Sequence, residues 1–201
     1  MAPSSENKFL RPDKFWYDIG LRANQTVVHL GCGPGYFLNP AAKIVGPQGK
    51  VIGIDIRPDI LEEAEGRASR DGYADIVTTL RHDIESGPVD SVKPDSSDWT
   101  LAVNILSQAD PKAILQEAKR ITKAGGMIII VEWSLSQDTI AQDVPRITVH
   151  LAISNNGLEN AILSLLGRNA RFSVVKGSIG YAAESDVRLI SEPPDRHGQR
   201  E

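Results

Sequence analysis

Three glycines at alternate positions, directly after a β-branched run, constrain this 201-residue chain more than any other feature. Residues 26–30 form a strand pattern, and Gly31, Gly33 and Gly35 follow it before a helical pattern begins. Because glycine has no Cβ, the backbone here can turn sharply and approach a bound molecule closely. The arrangement predicts that a nucleotide-like cofactor lies at the end of the first strand.

The composition predicts one globular domain in a reducing compartment. A chain of this length buries about 70% of the surface that its unfolded form exposes, so it needs no disulfide or metal to fold. The single cysteine, Cys32, allows no disulfide framework, and we expect its thiol to fill space inside the glycine loop. The sequence shows neither a signal peptide nor a membrane span, so we expect a cytoplasmic protein. A net charge of −4 gives no general attraction to nucleic acid.

Strand patterns alternate with helical patterns along most of the chain. Strands are predicted over 26–30, 50–54, 76–80, 99–103 and 127–132, and helices over 14–21, 58–70 and 111–122. This alternation predicts an α/β fold with a doubly wound, mostly parallel sheet. Beyond it, the pattern predicts a helix over 158–166 and strands over 172–176 and 185–190. We expect a single domain over 1–191 and a disordered tail over 192–201.

Polar side chains follow the predicted strands in turn. The glycine loop follows the first strand, Asp55 the second, Asp83 the third and Asn104 the fourth. Since the carboxyl ends of parallel strands share one edge, these groups should line one crevice. Asp55 is about 20 residues beyond the last glycine, where a carboxylate accepts both hydroxyls of a ribose. Asp83 is a candidate acceptor for an adenine amino group, with Ile56 and Ile84 flanking the ring. The alternatives are a capping or turn role for Asp55 and a solvated loop position for Asp83.

The glycine spacing separates two classes of cofactor. A dinucleotide fingerprint requires glycine at position 36, where this chain has Tyr36. A Walker loop would require Gly-Lys followed by Ser or Thr, and the chain has no such sequence after its glycines. An NAD-dependent oxidoreductase is therefore the weakest of the possible functions.

At four points the chain resembles the class I S-adenosylmethionine-dependent methyltransferases. The resemblance covers about residues 14–133 and rests on segments 29–35 (HLGCGPG), 44–55 (IVGPQGKVIGID), 82–83 (HD) and 115–126 (LQEAKRITKAGG). It implies a seven-stranded sheet that ends in an antiparallel hairpin, S-adenosylmethionine as the methyl donor and S-adenosylhomocysteine as its product. It also implies contacts of the loop with the methionine part, of Asp55 with the ribose, of Asp83 with the adenine and of Asn104 toward the substrate. The loop residues concerned are Gly31, Cys32, Gly33 and Gly35.

The chain departs from the family at His29, where an Asp or Glu usually helps to hold the ammonium group of the cofactor. A neutral imidazole can accept one hydrogen bond, whereas an imidazolium accepts none and repels the ammonium. We therefore expect His29 to contact the cofactor and to make its binding weaker and sensitive to pH. The alternative is that His29 is a packed residue at the strand end and that backbone carbonyls hold the ammonium.

A second departure narrows the substrate. Branches of the family that methylate amino groups carry Pro-Pro and an aromatic residue after the position of Asn104, whereas this chain has Ile-Leu-Ser. A single cysteine provides neither the nucleophile of cytosine C5 methylation nor the several thiolates of arsenite methylation. His82 and His150 are candidate general bases, and the histidine spacing predicts no metal site. Because alignment alone can supply much of the rate of methyl transfer, no catalytic side chain is assigned.

The sequence thus predicts an S-adenosylmethionine-dependent methyltransferase whose acceptor, a small molecule or a macromolecule, is unassigned. The alternative from another class is a methyltransferase-like binding or scaffold module that has lost turnover. Binding of S-adenosylmethionine or S-adenosylhomocysteine would distinguish the two.

Overall fold

The protein is described here from a computed structural model that covers residues 11–134, 147–154 and 187–188. Its centre is a parallel sheet in the order β3-β2-β1-β4-β5. These strands are β1 Thr26–Leu30, β2 Lys50–Asp55, β3 Val77–Arg81, β4 Ser97–Val103 and β5 Thr122–Ser134. The helices are α1 Pro12–Asp18, α2 Leu38–Val45, α3 Pro58–Arg70 and α4 Pro111–Ile121, with a 3-10 helix at Ile84–Ser86. The α/β fold and the parallel sheet predicted from the sequence are confirmed.

The direction of the chain across the sheet reverses at β1. From β1 the chain moves outward to β2 and β3, and it then returns to add β4 and β5 on the other side of β1. Ligands of such sheets bind beyond the carboxyl ends of the strands at this switch point. The loop that leaves β1 is therefore at the position where a crevice forms.

Helices cover both faces of the sheet. On one face, alternate strand residues such as Val27 and Leu101 pack with side chains of α1, α2 and α3. On the other face, Val28 and Ala102 pack with α4 and the 3-10 helix. Burial on both faces explains why the strand sequences are nearly continuous apolar runs.

Local chemistry corrects the predicted boundaries of two helices. Helix α1 covers Pro12–Asp18 rather than 14–21, because proline suits the first helical turn and Gly20 then takes a left-handed φ of +87°. Helix α4 ends at Ile121, because Thr122 adopts extended backbone and pairs with Ser97 at the start of β5. The Asp110 cap of α4 is present as predicted, since its Oδ1 accepts from the amide of Lys112 at 3.0 Å.

Two further strands continue the sheet beyond β5. Strand β6, Ile147–Ser154, pairs antiparallel with β5, and the short β7, Val187–Arg188, pairs antiparallel with β6. No strand was predicted over 147–154, and β7 lies within the predicted strand over 185–190. The predicted helix over 158–166, the strand over 172–176 and the tail over 192–201 lie outside the described residues. None of the helices in the part of the chain that the structure describes is long and apolar enough to cross a membrane.

Candidate functional site

The carboxyl edge of the parallel sheet gathers the residues that the sequence singled out. The glycine loop follows β1 directly, and Asp55 is the last residue of β2. Asp83 lies two residues beyond β3, and Asn104 comes directly after β4. Because all these strands are parallel, the four groups lie along one edge, as the sequence predicted.

The glycine loop has a backbone that other residues rarely adopt. Gly31, Gly33 and Gly35 have φ values of +67°, +52° and +80°, all in the left-handed region. A Cβ on Gly31 would lie 2.3 Å from Cδ1 of Ile105, and one on Gly35 would lie 3.0 Å from Cβ of Ala64. A Cβ on Gly33 would meet no atom within 4 Å. The outer two glycines are therefore required by packing within the protein, whereas the middle one borders open space.

Asp55 joins the end of β2 to this loop. Its Oδ2 accepts from the amide of Gly33 at 2.9 Å, and its Oδ1 accepts from the amide of Arg57 at 3.0 Å. Each carboxylate oxygen has a further lone pair available for another donor. Asp55 is thus a fixed acceptor beside an open glycine, which is the arrangement that a ribose with two hydroxyls requires. Its contact with Arg57 is the turn role that was the alternative.

His29 packs against the ring of Phe37. Its ring centre lies 5.7 Å from that of Phe37 in an edge-to-face arrangement, and Phe37 also meets Phe15 of α1 at 5.4 Å. The indole nitrogen of Trp16 donates to the carbonyl oxygen of Phe37 at 2.8 Å. Helix α1 and His29 therefore hold Phe37, the residue through which the loop enters α2.

The imidazole of His29 is buried and neutral. The side chain is 2% exposed, and neither ring nitrogen has a hydrogen-bond partner. Burial lowers the pKa of His29 to about 3, so the imidazolium is absent at neutral pH. The pH-sensitive repulsion predicted from the sequence is therefore wrong for this range, although the imidazole remains an available acceptor.

The adenine end of the predicted site has one exposed and one buried isoleucine. Ile56 is 53% exposed, whereas Ile84 is packed in the core with the α4 side of the sheet. Asp83 caps the 3-10 helix, since its Oδ1 accepts from the amide of Glu85 at 3.0 Å. Ile56 is therefore the apolar surface that a ring could cover at this end, and the second oxygen of Asp83 can still accept a donor.

Asn104 has the backbone strain and the unpaired atom typical of a binding residue. Its φ is +51°, and its amide donates to the carbonyl oxygen of Val131 at 2.8 Å. Its side-chain Oδ1 is buried and has no partner. The next residue, Ile105, is the one that covers Gly31. Asn104 therefore places an acceptor without a donor beside the glycine loop.

Cys32 and His82 have structural contacts rather than reactive ones. The thiol of Cys32 is buried, and burial together with the Asp55 carboxylate raises its pKa to about 12, so it stays protonated. The sulfur fills the space above Gly53, where a Cβ would lie 2.9 Å from it. Nε2 of His82 lies 2.9 Å from the carbonyl oxygen of Gly87. The expectation that Cys32 is a filler is confirmed, and the side chain of His150 lies outside the described part of the chain.

Contacts from α3 to the loop were missed by the sequence analysis. Nε of Arg67 donates to the carbonyl oxygen of Pro34 at 3.1 Å, and its guanidinium lies 4.5 Å from the centre of the Tyr36 ring. Tyr36 itself is 57% exposed. No local pattern identifies a partner 33 residues away in the chain, so this contact could be found only from the structure.

A pocket of about 210 Å³ lies at the opposite, amino-terminal edge of the strands. Its polar groups are bonded to each other or to the backbone. Asp98 binds both Lys123, at 2.7 Å, and the amide of Thr26, at 2.8 Å, and the indole of Trp99 donates to Gln25 at 2.9 Å. Because these groups already have partners, the carboxyl edge remains the candidate site.

Comparisons with known proteins agree with this assignment. A family model described as a methyltransferase domain matches residues 21–169. Over 169 residues the chain is 31% identical to an uncharacterized 37.1 kDa protein in transposon TN4556 of Streptomyces fradiae. This match covers 78% of this chain and 46% of that protein. Over 117 residues it is 27% identical to the ubiquinone/menaquinone biosynthesis C-methyltransferase UbiE of Hahella chejuensis. This match covers 57% of this chain and 45% of that protein. The chain thus spans less than half the length of these curated relatives.

Solved structures share the fold. A SAM-dependent methyltransferase from Aquifex aeolicus superposes with a TM-score of 0.56 at 24% identity, over 65% of this chain and 68% of that one. The arsenic(III) S-adenosylmethionine methyltransferase of Chlamydomonas reinhardtii gives a TM-score of 0.51 at 27% identity, over 57% of this chain and 40% of that one. The family match covers most of the chain, and the loop, Asp55 and the sheet order agree with it. The chain therefore belongs to the class I S-adenosylmethionine-dependent methyltransferases.

Proposed function

We propose that this protein transfers a methyl group from S-adenosylmethionine to a small organic acceptor at the carboxyl edge of its sheet. The observation that carries the proposal is the bond between the Asp55 carboxylate and the Gly33 amide. It fixes an acceptor suited to a ribose beside the one loop glycine that borders open space. The residues present therefore fit the cofactor.

The residues that would hold the cofactor divide the edge into three parts. Gly33 leaves room for close approach of the methionine part, and Asp55 would accept the ribose hydroxyls. Asp83 and Ile56 offer an acceptor and an apolar surface for the adenine. The acceptor nitrogen of the neutral His29 ring and Oδ1 of Asn104 have no hydrogen-bond partner, and they would be available to the ammonium group.

When bound, the cofactor supplies a sulfonium methyl group that is already electrophilic. The chain's contribution is to orient the reactants and exclude water, which can supply several kcal/mol of the barrier reduction. The thiol of Cys32 stays protonated and buried, so it does not compete as a nucleophile. The neutral His29 adds no positive charge that would repel the cofactor.

The choice of a small acceptor is supported by the relatives. UbiE of Hahella chejuensis and the demethylmenaquinone methyltransferase of Lactococcus lactis, 27% identical over 113 residues, are named for small quinone-type compounds. A reduced naphthoquinone, whose ring carbon is electron-rich, is therefore a suitable first probe for the acceptor.

Calorimetry with S-adenosylmethionine and S-adenosylhomocysteine tests the first half of the proposal. We expect both to bind one site in the micromolar range. Incubation with S-adenosylmethionine and the reduced naphthoquinone should then form S-adenosylhomocysteine, measured by mass spectrometry. Binding without turnover on any of a panel of small acceptors would contradict the small-acceptor proposal, and no binding of either compound at millimolar concentration would favour the scaffold alternative.

Three broader expectations remain proposals of ours. The chain beyond β5 would complete a seven-stranded sheet that ends in an antiparallel hairpin, and residues 1–191 would fold as one domain. The family relationship supports both, and limited proteolysis should leave such a domain intact. The protein would be located in the cytoplasm, as cell fractionation would show.

A further inference from the structure

Arg67 contacts the glycine loop at two places from outside the crevice. Its Nε donates to the carbonyl oxygen of Pro34 at 3.1 Å, and its guanidinium stacks 4.5 Å from the ring centre of Tyr36. Its second nitrogen pairs with Glu63 of the same helix at 2.9 Å. One side chain thus binds the residues on both sides of Gly35.

The bond to Pro34 controls the orientation of one peptide group. In a trans peptide the carbonyl and the following N–H point in opposite directions. With the Pro34 carbonyl directed toward α3, the amide of Gly35 points the other way and donates to the carbonyl oxygen of Cys32 at 3.2 Å. This peptide group joins Pro34 to Gly35, and the absence of a Cβ on Gly35 lowers the steric resistance to its rotation. The guanidinium therefore stabilises an orientation that the loop sequence alone specifies weakly.

Arg67 is itself held against the structure that it positions. The side-chain amide of Asn39, a buried residue of α2, donates to the backbone carbonyl of Arg67 at 3.2 Å and to Asp71 at 2.7 Å. Ala64, one turn earlier on α3, lies so close that Gly35 has no room for a Cβ. The distance between α3 and the glycine loop is therefore fixed by packing, and the side chain of Arg67 extends from the helix to the loop.

We propose that Arg67 is a positioning residue for the cofactor: by holding the Pro34 carbonyl and the Tyr36 ring, it keeps the open side of Gly33 in its binding conformation. The inference rests on the proposed function, because it concerns the same loop. It predicts that Arg67 affects affinity and the Michaelis constant for the methyl donor, while the maximal rate changes little.

The test compares Arg67→Met, which keeps an unbranched side chain but removes the guanidinium, with Glu63→Gln, which removes the ion pair and leaves both loop contacts. We expect Arg67→Met to weaken S-adenosylhomocysteine binding about tenfold, since it removes a charge-assisted hydrogen bond. Hydrogen exchange at the Gly35 amide should accelerate at least tenfold. The affinity of Glu63→Gln for S-adenosylhomocysteine should be within twofold of that of the unchanged protein.

Two variants of Tyr36 provide an independent measurement in case Arg67→Met folds poorly. Tyr36→Phe keeps the ring under the guanidinium and should bind S-adenosylhomocysteine normally. Tyr36→Leu should lose about threefold in affinity for S-adenosylhomocysteine. Normal affinity and normal Gly35 exchange in Arg67→Met, or an equal loss in Glu63→Gln, would overturn the inference. If the unchanged protein binds no S-adenosylhomocysteine, the proposed function fails, and the exchange at Gly35 still decides whether Arg67 positions the loop.

Discussion

The carboxylate of Asp55 accepts a hydrogen bond from the backbone amide of Gly33, 22 residues earlier in the chain, at 2.9 Å. The contact joins the end of β2 to the middle of the glycine loop. A residue expected to bind the ribose therefore also shapes the loop that is expected to contact the methionine part of the cofactor. Changes at Asp55 should consequently affect both affinity and stability.

We expect Asp55→Asn to weaken S-adenosylhomocysteine binding by tenfold to about a hundredfold, because a charged acceptor is lost. Both oxygens of Asp55 accept backbone donors, so an amide at this position must place its NH₂ against one of them. We expect a loss of about 1–2 kcal/mol in the free energy of unfolding. Calorimetry and urea unfolding measure the two effects.

Asp59→Asn is the matched control, because Asp59 is an exposed acid that pairs with Arg57 near the same edge. Its removal should change neither quantity appreciably. Equal binding by the Asp55 variant and the unchanged protein would contradict a ribose role for Asp55.

The loop glycines should respond differently to alanine. Gly31→Ala forces a Cβ into Ile105 and a left-handed backbone, so we expect a loss of about 2–3 kcal/mol in stability. Gly33→Ala carries only the backbone cost of about 1 kcal/mol, yet it should abolish measurable cofactor binding by filling the open side of the loop. Thermal unfolding and calorimetry on the two variants test this. Tight binding by Gly33→Ala would show that the cofactor does not approach Gly33.

His29 should make the protein sensitive to acid without affecting cofactor binding near neutral pH. Its pKa is about 3 in the folded protein and about 6.5 when unfolded, so below pH 6.5 the unfolded state binds the extra proton. The resulting stability is fully present above pH 6.5 and is lost as the pH falls toward 3, by at most about 1.4 kcal/mol per pH unit. Urea unfolding at several pH values measures this slope.

In His29→Leu the part of that slope due to His29 should disappear, because leucine does not titrate. Affinity of the unchanged protein for S-adenosylhomocysteine should stay constant from about pH 6 to 8, where the imidazole is neutral. A His29 titration near pH 6.5, seen by NMR, would show that the ring is not buried as described. His29→Asp should destabilise the cofactor-free protein, because it places a charge among aromatic rings.

Replacement of Asn104 should reduce methyl transfer while leaving the stability of the protein nearly unchanged. Asn104→Gly relieves the left-handed backbone, so the free energy of unfolding should change by less than about 1 kcal/mol. The variant also loses Oδ1, and we expect methyl transfer to fall at least tenfold. Asn24→Gly makes the same replacement at a φ of +66° in the turn before β1, away from the crevice, and should keep full activity. Loss of activity in both variants would attribute the effect to the backbone.

The positions of the five parallel strands along the chain and the polar residues after them follow from local patterns in the sequence. Apolar runs of strand length, prolines at the starts of α3 and α4, and the Asp110 cap are local signals that agree with the tertiary structure. Strand β6 was also visible, since residues 147–154 alternate apolar and small or polar side chains.

The contacts that shape the site were not predictable in the same way. The neutrality of His29 depends on its burial beside Phe37, and the local sequence of a strand does not indicate which distant side chain will cover a histidine. Arg67 reaches Pro34 only because α3 returns alongside the loop. These relationships arise from packing between distant segments, so periodicity and spacing do not encode them.

The close approach of Cys32 to Gly53 gives a rule for examining relatives of this protein. The sulfur occupies the volume that a side chain at position 53 would need, and Cδ1 of Leu38 lies only 2.7 Å from the same point. The side chains at positions 32 and 53 therefore compete for the same limited space beside β1 and β2. In a relative where position 53 carries alanine, position 32 should be glycine or alanine, and a sequence with bulk at both positions would need a wider space between α2 and the sheet.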